Sequence, residues 1–157
     1  GTDAKIVDTR KTTPNLRIFE KYAVLMGGGH NHRFGLYDAV LIKDNHISIA
    51  GGIKKAVAMA RQNIPHTMKI EVEAKSLKEV KDAITAGADI IMLDNMSIPM
   101  MKKAVAMINK KAVVEASGNI NLKNVRDVAL TGVDIISIGA LTHSYKAVQM
   151  SMNIEKV

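Results

Sequence analysis

Cysteine is absent from all 157 residues, which excludes disulfides, thiolate metal sites and a cysteine nucleophile together. Aromatic residues are scarce as well. Two Phe, three Tyr and no Trp leave too few rings for the stacking platforms of single-strand nucleic-acid binders. No apolar run approaches the roughly 20 residues of a membrane span, and the most hydrophobic stretch, Ile135 to Leu141, is short and follows Asp134. The N-terminus lacks the basic, apolar and small-residue order of a signal peptide, so the expected location is the cytoplasm, with no membrane partner.

What is present is the balance of a soluble globular protein, 47% hydrophobic and 24% charged, and the length of one ordinary domain over 1–157. Lys and Arg outnumber Asp and Glu by 22 to 15, a net charge of +7 that calls for anionic partners. The basic residues are scattered. Lys54-Lys55, Lys102-Lys103 and Lys110-Lys111 are the adjacent lysine pairs, and they read as solvated helix faces, not as a nucleic-acid interface.

Short β-type runs alternate with helical patterns from end to end. Strands are expected near 5–8, 39–43, 69–73, 90–94, 112–117 and 135–139, most of them nearly continuous in apolar character. Such continuity marks parallel strands covered on both faces. Between them run helix-spaced stripes: Ile53, Ala56, Val57, Ala60 and Ile64; Leu77, Val80 and Ile84; Met100, Met101, Ala104, Val105 and Ile108. Leu122, Val125, Val128 and Ala129 predict a helix over 121–130. The ten methionines largely join such stripes and read as core filler. Ser76-Leu77-Lys78-Glu79 is a capping box, and Ser97 precedes Pro99 in a first helical turn. Gly87 and Gly132 stand where helix C-caps belong. Each opens a matching phrase, Gly87-Ala88-Asp89-Ile90-Ile91 and Gly132-Val133-Asp134-Ile135-Ile136, which predicts equivalent turns two β/α units apart. Six strands with five intervening helices predict an incomplete, open TIM-like β/α barrel of parallel strands with covering helices. A doubly wound sheet is the alternative, because periodicity does not show closure.

In either architecture the working residues project from the C-terminal ends of the strands, and those ends are polar. Asp8-Thr9-Arg10-Lys11-Thr12-Thr13-Pro14 follows the first strand and Lys43-Asp44-Asn45-His46 ends the second. Glu71 and Glu73 lie in the third, Asp94-Asn95 ends the fourth, Glu115 to Asn119 the fifth, and Gly139 to Ser144 the sixth. A purely structural barrel needs no charge at every strand end, so this distribution points to an enzyme. Arg10, Lys11, Arg33 and Lys43 suit carboxylate or phosphate, arginine as a planar fork and lysine as a point charge. Glu73 and Asp94 suit a positive centre, either a divalent cation or a cationic transition state. Glu71 and Glu73 share one strand face by period two, so both can point into a barrel. Ser117-Gly118-Asn119 and Gly139-Ala140 offer backbone amides to a phosphate, although each alone is ordinary turn chemistry.

Together these phrases resemble the quinolinate phosphoribosyltransferase family (decarboxylating nicotinate-nucleotide pyrophosphorylases). The matching phrases begin with Asp8-Thr9-Arg10-Lys11-Thr12-Thr13-Pro14, Glu20-Lys21-Tyr22-Ala23-Val24, and Gly27-Gly28-Gly29 followed by Asn31-His32-Arg33. Leu41-Ile42-Lys43-Asp44-Asn45-His46, Glu71-Val72-Glu73, Met92-Leu93-Asp94-Asn95, Glu115-Ala116-Ser117-Gly118 and the segment Ile138 to Ser144 follow in family order. The resemblance implies an incomplete α/β barrel with a type II phosphoribosyltransferase site. Such enzymes join quinolinate to 5-phosphoribosyl 1-diphosphate with Mg2+ and release pyrophosphate and carbon dioxide, a step of NAD biosynthesis. It places Arg10, Lys11, His32, Arg33 and Lys43 around quinolinate. Glu73 and Asp94 fall at the ribose hydroxyls, supporting Mg2+ indirectly, and Ser117, Gly118, Gly139 and His143 fall around the sugar phosphate. Lys11, Lys43, Glu73 and Asp94 form the catalytic set by the same likeness. A homodimer or higher homo-oligomer is implied, in which the separate N-terminal domain of a neighbouring subunit covers the site and adds an arginine. Nothing in the chain corresponds to that domain. The chain is therefore expected to be part of a longer polypeptide, or one from which the domain was removed, and to lack full activity alone. Asn15 and Asn119 stand where many relatives have glycine, a departure expected to matter little.

Plainer readings stand beside these. His30, His46 and His66 read as structural or surface residues, and no histidine pair has metal-ligand spacing. Glu115 reads as support for the barrel interior. Glu71 is balanced between a structural ion pair and the site, and His143 between a helix cap and the site. The competing functions are another phosphate-binding barrel enzyme, an inactive barrel fragment, and a noncatalytic basic barrel that binds nucleic acid; the ordered run of phrases disfavours the last.

Overall fold

The computed structural model describes residues 1–155. Strands β1 (Lys5–Val7), β2 (Val40–Ile42), β3 (Ile70–Ala74), β4 (Ile90–Asp94), β5 (Val113–Ser117) and β6 (Ile135–Ser137) form one sheet in the order β1-β6-β5-β4-β3-β2. Every pairing is parallel. Chain neighbours are sheet neighbours throughout except β1 and β2, which stand at the two edges. That cyclic succession is a barrel opened between its first two strands. It rules out the doubly wound alternative, whose strand order reverses at a switch point. His30 lies along the free edge of β1, donating to Ile6 at 2.9 Å and accepting from Asp8 at 3.1 Å.

Alternation along the strands sorts two unlike faces. Ile42, Val72, Ile91, Leu93, Ala116 and Ile136 pack outward into a core with helix residues such as Val57, Val80, Ala104 and Ile108. Leu41, Glu73, Met92, Asp94, Glu115, Ser117 and Ser137 face inward, lining a cleft. The expectation of apolar character on both faces therefore fails on the inner one. Each buried aliphatic side chain on the outer face contributes about 1.5–3 kcal/mol. Stability resides in the sheet–helix layer, which leaves the interior free to be polar.

The helices are α1 (Arg17–Met26), α2 (Asp44–Ala50), α3 (Ile53–Gln62), α4 (Leu77–Ala86), α5 (Ile98–Ile108), α6 (Val125–Ala129) and α7 (Ala140–His143). Two helices connect β2 to β3 where one was expected. Gly51 and Gly52, at φ 77° and 128°, break the chain between them in conformations that a Cβ disfavours. The helix expected over 121–130 shrinks to α6, and Leu122 is 96% exposed instead of lying in a stripe. The cause is local: Asn121 Oδ1 accepts from Lys123 N at 2.9 Å and Asn124 Oδ1 from Asn121 N at 2.8 Å, turns that compete with helix. Lys110-Lys111 likewise falls in the turn after α5, with Lys110 at φ 60°.

Other expectations divide. Ser76 caps α4 by accepting from Glu79 N at 3.2 Å, but Glu79 returns its bond to Lys75 N and not to Ser76. Only Met92, Met96 and Met101 are buried, so the methionines are not in the main core filler: Met26, Met59 and Met107 lie on exposed helix faces, and Met150 and Met152 are exposed beyond α7. The repeated Gly-x-Asp phrases are equivalent. Asp89 accepts from Ile70 N and Asp134 from Val114 N, each at 2.8 Å, so each carboxylate closes the start of the neighbouring strand.

Candidate active site

At the C-terminal ends of the strands the open barrel holds a cleft of about 610 Å3. Arg10, Lys11, His32, Arg33, Lys43, Glu73, Asp94, Ser117, Gly118, Gly139 and His143 all line it, whereas Glu71, also weighed as a site residue, does not. It adds Leu41, Met92, Asn95, Asn119, Ile120 and Ser137. The signal for Met92 and Ser137 was register: Met92 pairs with both Glu73 and Glu115, and Ser137 with Ser117.

One wall is cationic. Its loop is fastened from two directions, since Thr142 Oγ1 donates to the Lys11 carbonyl at 2.7 Å and Arg17 Nη2 to the Arg10 carbonyl at 3.1 Å. Arg10 and Lys11 are thereby held at the cleft by their backbone. Arg10 Nε is buried with no hydrogen-bond partner among the described residues. Arg33 Nη1 donates to the Ala39 carbonyl at 3.1 Å. Burial, and then the charge of Arg10, lower its hold on its proton.

Two carboxylates of the cleft, Glu73 and Asp94, come from β3 and β4. Glu73 lies 3.7 Å from Lys43 Nζ and 3.8 Å from Lys75 Nζ. Burial and the charge of Asp94 nevertheless raise its pKa, with the two lysines opposing. Asp94 Oδ1 accepts from Asn95 Nδ2, and Asn95 Oδ1 accepts from Asn119 Nδ2, both at 2.9 Å. Asn119 thus belongs to the cleft, more than its expected small consequence. Glu73 and Asp94 present hard oxygens, the donor type that Mg2+ takes while keeping several waters.

In the cleft His32 Nε2 sits 3.2 Å from Glu71 and 3.5 Å from Glu115, both deeply buried. Burial, the largest influence on His32, disfavours its charge, but hydrogen bonds and charges from Glu115 and Glu71 raise it to about 10. Burial in turn raises Glu71, against the pull of His32. The three side chains are close enough for a metal. Arg33 N, however, lies 2.8 Å from His32 Nδ1, a bond that the neutral ring alone can accept, with its hydrogen then on Nε2. The imidazolium gives that bond up and carries hydrogen on both nitrogens, so Nε2 is protonated toward the carboxylates in either form. The trio therefore shares a proton. Glu115 is buried in the barrel interior at the base of the cleft, and Glu71 is buried in an ion pair with the cleft residue His32. His46 caps α2, its Nδ1 accepting from Lys43 N at 3.0 Å.

An open parallel barrel with cationic and carboxylate side chains gathered in one cleft at its strand ends defines a class, the β/α barrels whose polar cleft lies at the C-terminal ends of the strands. The profile of the quinolinate phosphoribosyl transferase C-terminal domain matches residues 1–153, and the chain belongs to that family. A chloroplastic nicotinate-nucleotide pyrophosphorylase (carboxylating) of Arabidopsis thaliana is 46% identical over 173 residues, covering 99% of this chain and 50% of that protein. A mitochondrial quinolinate phosphoribosyltransferase (decarboxylating) of Nicotiana tabacum is 45% identical over 170 residues, covering 97% and 48%. The crystal structure of NadC from Streptococcus pyogenes superposes with a TM-score of 0.90 at 48% identity, over 96% of this chain and 53% of that one. The chain spans about half the length of the curated relatives it matches. A thiamine phosphate pyrophosphorylase from Pyrococcus furiosus, at 18% identity and a TM-score of 0.54, shares the fold alone. Among the described residues no helix is long and apolar enough to cross a membrane.

Proposed function

We propose that the cleft binds quinolinate and 5-phosphoribosyl 1-diphosphate and transfers the phosphoribosyl group to the pyridine nitrogen. Pyrophosphate leaves as the bond to nitrogen forms, and carbon dioxide then leaves the ring, where a proton from solvent takes its place, giving nicotinate mononucleotide for NAD biosynthesis. The observation that carries this reading is the gathering of Arg10, Lys11, Arg33 and Lys43 with Glu73 and Asp94 in one cleft, in a chain of this family. Arg10, Lys11, His32, Arg33 and Lys43 take the two carboxylates of quinolinate, with the free Arg10 Nε available to one of them. Ser117, Gly118, Gly139 and His143 surround the sugar phosphate.

As the bond from C1 of the ribose to pyrophosphate breaks, positive charge develops on the ring. Glu73 and Asp94 stabilise that charge more than they stabilise the ground state, which lowers the barrier. Holding nitrogen and C1 in line supplies much of the remaining acceleration. Glu73 and Asp94 would help to hold Mg2+, which would offset the charge of the diphosphate. Lys11 and Lys43 offset the charge left near the pyridine carboxylates during decarboxylation. The same reading makes the protein a cytoplasmic homodimer or larger homo-oligomer, with another domain of a neighbouring subunit covering the open cleft.

Titration calorimetry of this chain with each substrate tests the reading. Binding of the phosphoribosyl donor with Mg2+, together with weaker binding of quinolinate, is the expected result; binding of neither would overturn it. In an active assembly, Lys11→Ala with Lys43→Ala should slow turnover about 100-fold or more, and normal turnover would remove the role given to both lysines.

A further inference from the structure

Helix α1 is built inside out. Glu20 and Lys21 are 8% and 3% exposed, whereas their apolar neighbours Ile18, Phe19 and Tyr22 are 67%, 69% and 60% exposed. A lysine is almost never buried without partners, and those of Lys21 lie beneath the cationic wall. Its Nζ pairs with Asp8, wholly buried just beyond β1, and donates to the His32 carbonyl at 2.9 Å. Asp8 Oδ1 also accepts from His32 N at 2.9 Å. Asp8 Oδ2 accepts from Asn31 Nδ2, which donates as well to the Lys21 carbonyl at 2.9 Å.

One ion pair therefore holds both backbone groups of His32, outside any helix or strand. Neither member of the pair lines the cleft, but His32 and Arg33 do. A well-packed apolar pair would stabilise the fold as much. It would offer no acceptor to His32 N and no donor to the His32 carbonyl, and buried backbone groups need both. What the charged pair adds is therefore the placement of one short segment.

We propose that Asp8 and Lys21 are positioning residues: the buried pair aims His32 and Arg33 at the aromatic dicarboxylate and leaves the phosphoribosyl side of the cleft untouched. The ligand named rests on the proposed function, whereas the placement does not. Loss of Lys21 alone would strand a buried carboxylate and endanger folding, so the variant of choice is the charge-neutral Asp8→Asn with Lys21→Met.

Two readouts apply to it. Calorimetry should show pyridine-2,3-dicarboxylate binding weakened about tenfold or more, and binding of the phosphoribosyl donor with Mg2+ changed by less than about twofold. Nitrogen NMR of the histidine rings, with His32→Gln for assignment, needs no ligand. In the double variant the His32 ring should leave the carboxylates of Glu71 and Glu115 and titrate nearer to the ordinary value of about 6.5. An unchanged His32 titration, or an equal loss of both ligands with circular dichroism intact, would overturn the proposal. Should the unaltered protein bind neither ligand, the functional reading fails, and the ring titration alone decides the positioning. If the double variant does not fold, Lys21→Arg, which keeps the charge opposite Asp8 but displaces the donor from the His32 carbonyl, is judged by the same two readouts.

Discussion

Asn95, which donates to Asp94, fits beside a residue with no side chain. Gly118 sits at φ 97°, and a Cβ there would lie 2.3 Å from Asn95 Oδ1, the atom that Asn119 grips while Asn95 holds Asp94. Gly118→Ala should therefore cost about 1–3 kcal/mol in stability through backbone strain. It should also weaken binding of the phosphoribosyl donor by displacing Asn95. Urea unfolding and calorimetry check the two effects; a variant unchanged in both would mean that Asn95 moves freely. The sequence marked Gly118 as a small residue at a strand end. It gave no sign of Asn95 behind it, because β4 and β5 meet only in the sheet.

At the scale of elements, what is local was readable and what is not was hidden. Ser76 caps α4 through a bond to an amide three residues on, so its role is written in four consecutive letters. Ser76→Ala should lower stability by about 1 kcal/mol, seen as an earlier urea midpoint. The shortening of α6 was in principle local too, since Asn121 and Asn124 bond to their own segment, but an apolar stripe outweighed them in a periodic reading. Helix α1 defeats periodicity altogether. Its apolar residues face out and its charges face in, because Asp8, Thr13 N and the His32 carbonyl supply partners from segments far along the chain or beyond its own turns.

The molecule as a whole joins three distant segments in its interior: His32 from the segment before β2, Glu71 from β3 and Glu115 from β5. The two carboxylates raise His32 from 6.5 to about 10, so protonation of the ring favours the folded state. That contribution is fully present below pH 6.5 and is lost as pH rises through about 10. Urea unfolding across this window should show the protein losing stability relative to His32→Gln as pH increases; parallel curves would mean that the ring carries no such proton.

By itself the sequence determined the alternating strands and helices, the equivalent turns at Asp89 and Asp134, and the charged residues at strand ends. Each depends on periodicity or on neighbours a few residues apart. Closure into an opened barrel was decided only by the pairing of β1 with β6, 130 residues away in register from Lys5 to Ile135. The tertiary structure also decided which side of each strand is wet. It brought Arg10 into one cleft with Glu73 and Asp94 and buried Lys21 on Asp8. Those outcomes depend on long-range packing and on the exclusion of water from particular polar atoms, and no local pattern encodes either.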